Sequence, residues 1–377
     1  MDAFFESFSY GQIGFRVLAT VIKVVLLMLA LGPGIASILT WLERRQSSMM
    51  QDRLGPNRAN LLPGGRWKLW GISHFMADAL KFLFKEDFVP PRAHKFMFAL
   101  APILALGPAL IVSAILPFGP PLCWGQLLEK VPVGQCAQPV DLQIARLDVG
   151  ILFYFAISSL SVYGATLAGW ASYNKWALMG GLRASSQMVS YEVTMGMAVL
   201  TMFLFYGTLE PGAMVYQQGA APWNWGIFGI PQAIAFVLFL TAAVAETKRT
   251  PFDIPEGEPE IIGYFVEYSG LRFGMFFLGE FIEIVFSSAL MITIFFGGWR
   301  LPFEATLAGN LPNILFVLLG FGWWITKVFV FCGFQLLVRW SLPRFRPDQL
   351  MQLGWQRLLP VSIANVLLAA GWILFTQ

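Results

Sequence analysis

Apolar residues run almost unbroken for long stretches of this 377-residue chain, and the polar ones gather in the gaps between them. Eight stretches stand out, at 17–42, 96–116, 149–171, 188–207, 228–245, 274–298, 311–338 and 358–375. A helix rises about 1.5 Å per residue, so each is long enough to cross a hydrocarbon layer of about 30 Å. The first lacks a small-residue cleavage site, is too long for a secretory leader and leads into a basic loop; it reads as a retained helix. The pattern predicts an all-α polytopic membrane protein with about eight transmembrane helices. With no internal repeat, low-complexity tract or Gly/Ser linker, residues 1–377 read as one transmembrane domain.

Two gaps hold more than a turn. In the first loop, 43–95, Ile72, Phe75, Met76, Ala79 and Leu83 recur at helical spacing, while His74, Asp78, Lys81 and Lys85 line another face. That is an amphipathic helix, either lying in the membrane interface or packed against the neighbouring spans. Within the spans, Gly32, Pro33 and Gly34 interrupt the first and Gly107 with Pro108 the second, where a missing N–H and ring crowding break the helical ladder.

Composition sharpens this picture. The chain is 57% hydrophobic and only 12% charged, which excludes an ordinary soluble domain. Net charge is +3, and its distribution says more than its size. Ten basic residues fall between Glu43 and Lys95, joined on the same side by Lys175, Arg183, Lys248, Arg249, Arg272, Arg339, Arg344, Arg346 and Arg357. The other side has Arg16, Lys130, Arg146 and Arg300. Basic loops stay in the cytoplasm, so both termini are expected on the non-cytoplasmic face. Cys123, Cys136 and Cys332 form no CxxC, and with His74 and His94 they make no plausible metal or iron–sulfur ligand set. Cys123 and Cys136 share one outward loop, where an oxidising compartment permits a disulfide, and the sequence leaves their pairing open.

Ionisable groups inside spans cost about 2.5–3.5 kcal/mol near the bilayer centre on insertion scales, so those that persist face protein or water. Glu192, Glu280, Glu283, Lys23 and Lys327 are of this kind, with Asp148, Glu43 and Glu246 at span ends. Together they point to a hydrated proton or ion path. The acidic loop 246–273 contains "ETKRTPFDIPEGEPEI", which gathers Glu246, Asp253, Glu256, Glu258 and Glu260 around Lys248 and Arg249, with Glu267 just beyond. Phe252, Ile254, Ile261, Ile262 and Phe265 flank these acids, and Pro251, Pro255 and Pro259 restrict the backbone. A solvated loop that seats a partner is one reading. Carboxyls held where water is scarce, with raised and interdependent pKa values, are the other.

The run "AETKRTPFDIPEGEPEIIGYFVEYSG" resembles the signature of the H-type membrane subunit (also called subunit 8 or ND1) of respiratory complex I, the proton-pumping NADH-quinone oxidoreductase. "LERRQSSMMQDRLGPNRAN" with "ADALKFLFKED", and "GWASYNKWALMGGLRASSQMVSYE", are similar to two further blocks of that family, in register. The resemblance implies a membrane subunit that binds no cofactor itself, takes quinone as substrate and forms part of its chamber. FMN and iron–sulfur clusters would belong to partner subunits: a hydrophilic quinone-reducing module, alongside antiporter-like membrane subunits. It assigns Glu43, Arg44, Asp52, Arg53, Asp78 and Lys81 to the quinone chamber. Glu246, Arg249, Asp253, Glu256, Glu258, Glu260 and Glu267 fall on a coupling loop, and Asp148, Glu192 and Glu280 on a proton path. No metal site, no catalytic residue within the chain and no nucleic-acid partner are implied. A bacterial inner membrane suits the length and basic loops. Lys248 departs from the family pattern, where asparagine is common, as does Pro259. The alternatives are the related membrane anchor of a proton-pumping hydrogenase, an autonomous proton or cation transporter, and a docking platform.

Overall fold

The computed structural model describes residues 10–59, 69–123, 126, 129, 139–257, 260–302, 304, 307 and 310–376. Glu258, Pro259 and Cys136 lie outside them. Helix α1 (Tyr10–Lys23) continues through a π-helical turn, Val24–Leu31, into α2 (Gly32–Met50). Pro33 has no N–H and its ring crowds the carbonyl four residues back, and the wider turn ahead of it accommodates both. After α3 (His74–Phe84) come α4 (Lys95–Ile111), α5 (Gly150–Ser158) and α6 (Leu160–Ala171). Next are α7 (Lys175–Tyr206), the short α8 (Pro211–Gln218), α9 (Ile230–Glu246), α10 (Gly270–Phe295) and α11 (Asn313–Ser341). α12 (Pro347–Gln352) passes through a second π turn, Leu353–Leu358, into α13 (Leu359–Thr376). Leu122–Cys123 pairs antiparallel with Pro139–Val140 in a short ribbon. Cys123 is disulfide-bonded, whereas Cys332 is free and buried.

Among the described residues, seven helical stretches are long and apolar enough to cross a membrane, and α9 is a shorter apolar helix beside them. The eight expected stretches therefore each meet a helix, in order, in a multi-pass all-α membrane protein. α10 is the axis of the bundle, packed against α2, α4, α9 and α11. Its most apolar window is 78% buried, against 22% for the first span and 17% for the last. A helix apolar on all sides belongs inside, and Phe281, Phe286 and Phe295 are wholly enclosed. Val21, Leu26 and Leu29 of the first span and Leu367, Leu368 and Leu374 of the last point outward, as lipid-facing side chains do.

Small residues set the closest approaches. A Cβ on Gly164 would meet the Ala105 backbone nitrogen at 2.7 Å, and one on Gly169 the Ala177 carbonyl oxygen at 2.4 Å, so α4, α6 and α7 pack backbone to backbone. α7 begins well before the expected start of its span. Asn174 caps it by accepting from the Trp176 N–H at 3.0 Å, and contact with α6 supports the added turns. α3 buries none of its residues: Met76, Leu80 and Leu83 stay exposed while Phe82 meets Phe273 and Phe277 of α10. It both presents an apolar face and packs on the bundle.

The two in-span lysines tie elements together. Lys327 Nζ donates to the carbonyls of Phe296 (2.7 Å) and Gly298 (3.0 Å), satisfying the end of α10. Lys23 Nζ donates to the Gln143 carbonyl at 3.1 Å, joining the first span to the segment before α5. In the sequence both read as members of a hydrated path; here their bonds go to backbone carbonyls.

Candidate functional site

The segment between α9 and α10 folds back into the bundle. α9 ends at Glu246, and Lys248 adopts a left-handed φ of 55° that reverses the chain. Gln187 of α7 reaches across and donates to two loop-side carbonyls, Ala245 at 2.7 Å and Phe252 at 2.6 Å. Phe252 lies between the rings of Tyr191 and Phe345. Gly180 gives the returning strand room, since a Cβ there would stand 2.9 Å from the Tyr264 nitrogen. The first half of the loop, through Gly257, is thus buried or half-buried.

That burial puts charges together. Arg249 is buried between Glu43 of α2 (3.3 Å) and Glu280 of α10 (3.7 Å), with its guanidinium 4.3 Å from the centre of the Phe281 ring. Arg339, near the end of α11, is also paired with Glu43. Just beyond that helix, Arg344 binds Asp253 at 2.7 Å. The Tyr264 hydroxyl donates to Glu280 at 3.1 Å and accepts from Lys248 Nζ at 3.4 Å. Charges removed from water cost several kcal/mol each unless paired and hydrogen-bonded, and the two arginines from the α11 end meet that requirement for Glu43 and Asp253.

The pairing is incomplete, and protonation shifts accordingly. Burial raises the Asp253 carboxyl to about 6 although Arg344 pulls it down. Glu256 stands well above the ordinary carboxylate range, first through burial and then through the negative charge of Glu280 beside it. Tyr264 is raised by burial and by Glu280, so its hydroxyl keeps the proton it donates. Asp253 Oδ1, Glu256 Oε1 and Glu283 Oε2 are buried with no hydrogen-bond partner among the described residues, the condition under which a carboxyl holds a proton or binds water.

Three cavities line up with these groups. An open one of about 530 Å³ is walled by Glu43, Arg44, Arg53, His74, Phe281, Arg339 and Trp340, among others. A second, of about 320 Å³ and largely apolar, lies between α3 and α10 and shares Thr40 and Phe277 with the first. The third, about 20 Å³ between Tyr154, Ser158, Ser161, Glu246 and Glu283, has room for about one water. An apolar vestibule therefore adjoins a charged chamber, and Arg249 links that chamber to acids deeper in the bundle.

Of the residues singled out in the sequence, Glu43, Arg44 and Arg53 line the charged chamber. Asp78 lines the vestibule and pairs with Arg44 at 2.7 Å. Asp52 and Lys81 are exposed and line neither space. Glu246, Arg249, Asp253, Glu256 and Glu280 come together; Glu192 of α7 is near enough to Glu246 for their charges to interact. Asp148 is exposed just ahead of α5 and stands outside the buried set. Glu260 is exposed and paired with Arg183 at 2.8 Å, and Glu267 accepts from Asn174 at 2.8 Å. Arg339, Arg344, Tyr264, Gln187 and Tyr154 are functional candidates that sequence reasoning passed over. The run "VRWSLPRFR" counted only toward orientation, although buried acids on the same face needed counter-charges.

A family model described as NADH dehydrogenase matches residues 22–370, and the chain belongs to that family. More narrowly, its relatives carry the name of one subunit. It is 41% identical over 368 residues to an H-type NADH-quinone oxidoreductase subunit of Koribacter versatilis (strain Ellin345), covering 96% of this chain and 99% of that one. Identity is 42% over 349 residues with NADH-quinone oxidoreductase subunit 8 of Rhodothermus marinus, covering 90% and 94%. It is 39% over 341 residues with an H-type subunit of the same enzyme from Cytophaga hutchinsonii, covering 90% and 92%.

Proposed function

We propose that this chain is the membrane subunit of a proton-translocating NADH-quinone oxidoreductase in which quinone is bound and its reduction is coupled to proton movement. The observation that carries the reading is the junction of the two larger cavities at Thr40 and Phe277. An amphiphilic quinone needs an apolar path for its tail and hydrogen-bonding groups for its head, and the vestibule and the charged chamber supply these side by side. Reduction adds charge and proton demand at the head group. Arg249, shared between Glu43 and Glu280, carries that change toward Glu256, Glu246, Glu283 and Glu192 by altering which carboxyls hold protons.

In this reading the chain binds quinone and moves protons but passes no electrons. FMN and iron–sulfur clusters sit in a hydrophilic partner module that closes the chamber, and antiporter-like subunits continue the membrane arm. The acidic loop faces the cytoplasm of a bacterial inner membrane, with both termini on the other side. Relatives named as NADH-quinone oxidoreductase subunits over nearly the whole chain favour this over a hydrogenase anchor. The test is photolabelling of the assembled complex with an azido-quinone. Labels are expected on α2, α3 and the first half of α10, reduced by competing quinone. Competable labelling confined to other helices or subunits would overturn the assignment.

A further inference from the structure

Lys248 does not line the chamber, so the chamber does not explain its placement. It is only 4% exposed, in a left-handed backbone conformation that a long side chain seldom adopts. The described residues place no carboxylate in ion-pair contact with it. Nζ instead bonds the Tyr264 hydroxyl and lies 5.5 Å from the centre of that ring. Yet it is surrounded by acids from three directions. Glu246 ends α9, Glu256 comes from the loop, and Glu280 and Glu283 come from α10. Arg249 flanks Glu280, Glu192 of α7 faces Glu246, and Tyr154 of α5 faces both Glu246 and Glu283. A cation bonded to no single carboxylate but near four of them serves all of them at once. The two arginines of the α11 end act differently, since each grips a particular acid.

We infer that Lys248 is a positioning residue for proton coupling, a counter-charge shared by the chamber-side acids Glu256 and Glu280 and the deeper acids Glu246 and Glu283. It sets the pH at which the deeper pair takes up a proton, and transmits to that pair any change of charge on the chamber side. Burial works to lower the affinity of Nζ for its proton, and the carboxylates of Glu283, Glu280, Glu256 and Glu246 outweigh it, leaving the ammonium charged. Removing this positive charge makes a proton on Glu246 or Glu283 easier to gain and harder to release.

The inference rests on the proposed coupling function, and the experiment separates the two. Lys248→Asn removes the charge while suiting the left-handed backbone; Lys248→Gly does the same by another route, and Lys248→Arg retains a cation. Each is measured in the intact complex in sealed vesicles, with Glu246→Gln alongside. The expected result for both uncharged variants is a rise of about one pH unit in the midpoint of coupled turnover. Protons moved per electron should also fall at least about twofold, with uncoupled quinone reduction preserved and Lys248→Arg close to wild type. A wild-type pH profile and ratio in Lys248→Asn and Lys248→Gly, or a Lys248→Arg that behaves as they do, would overturn it. Glu246→Gln pumping normally would sink the coupling path itself; Glu246→Gln failing while Lys248→Asn behaves as wild type would remove only this inference.

Discussion

The acidic loop has two halves built from the same residue types and treated oppositely by the fold. From Arg249 to Glu256 it is enclosed by α7, α10 and the end of α11, and its acids are raised in pKa or ion-paired in low dielectric. From Glu260 to Glu267, Ile261 and Tyr264 are still buried, but the acids lie nearer the surface, Glu260 in a partly exposed pair with Arg183 and Glu267 bonded to Asn174. Local sequence does not separate them: each has acids, apolar neighbours and a nearby proline. What separates them is whether the arginines and helix walls that arrive from elsewhere in the chain enclose the acids: Arg249 is buried, whereas the Arg183–Glu260 pair is partly exposed. Carboxyls become energetically consequential only in the first half, because exposed charges are screened and exposed pairs contribute about 0–1 kcal/mol.

Arg249→Ala should break the contrast most severely. It leaves Glu280 without an arginine and Glu43 with Arg339 alone, and removing one partner from a buried pair costs about 3–5 kcal/mol. Loss of assembled complex on native gels is the expected outcome, and Glu43→Gln in the same background should recover part of it. Normal yield of Arg249→Ala would mean that the site is wet.

Next in size is Arg344→Ala, which removes the charge that holds Asp253 down. The Asp253 carboxyl, already at about 6, should titrate still higher, read by isotope-edited infrared absorption of labelled aspartate. The sign for stability follows from the raised value. Between the ordinary aspartate range and about pH 6 the folded loop binds more protons than an unfolded one, so Asp253 favours folding as pH falls through that window and disfavours it as pH rises. Protection of the loop amides, after correction for the base-catalysed intrinsic exchange rate, should accordingly be higher at pH 5 than at pH 7. The smallest effect is expected for Glu260→Gln, under about 1 kcal/mol in stability and without change in the ratio of protons to electrons.

Much of the fold was legible because lipid enforces a simple rule, that long apolar runs become helices. The same rule hid the extension of α7 to Lys175 and the inward folding of Arg249 to Glu256. Both depend on glycines at 169 and 180 that let backbones touch, and no hydropathy window registers a missing Cβ. Glu43, Arg249 and Glu280 were readable as costly charges. Arg339 and Arg344, the counter-charges of Glu43 and Asp253, lie almost 300 and about 90 residues from them along the chain, so pairing them needed the tertiary structure. Lys23 and Lys327 show the converse. In-span charge alone suggested a path, and the structure shows both lysines bonded to backbone carbonyls.

The proposed coupling requires carboxyls in the enclosed half to change protonation during quinone turnover and those in the exposed half to keep theirs. Infrared difference spectra of the intact complex, quinone-reduced minus oxidised, test this directly by comparing Glu256→Gln and Glu260→Gln with wild type. A protonated-carboxyl band that disappears in Glu256→Gln and persists in Glu260→Gln is the predicted result. An unchanged band in Glu256→Gln, or the same loss in both variants, would contradict it.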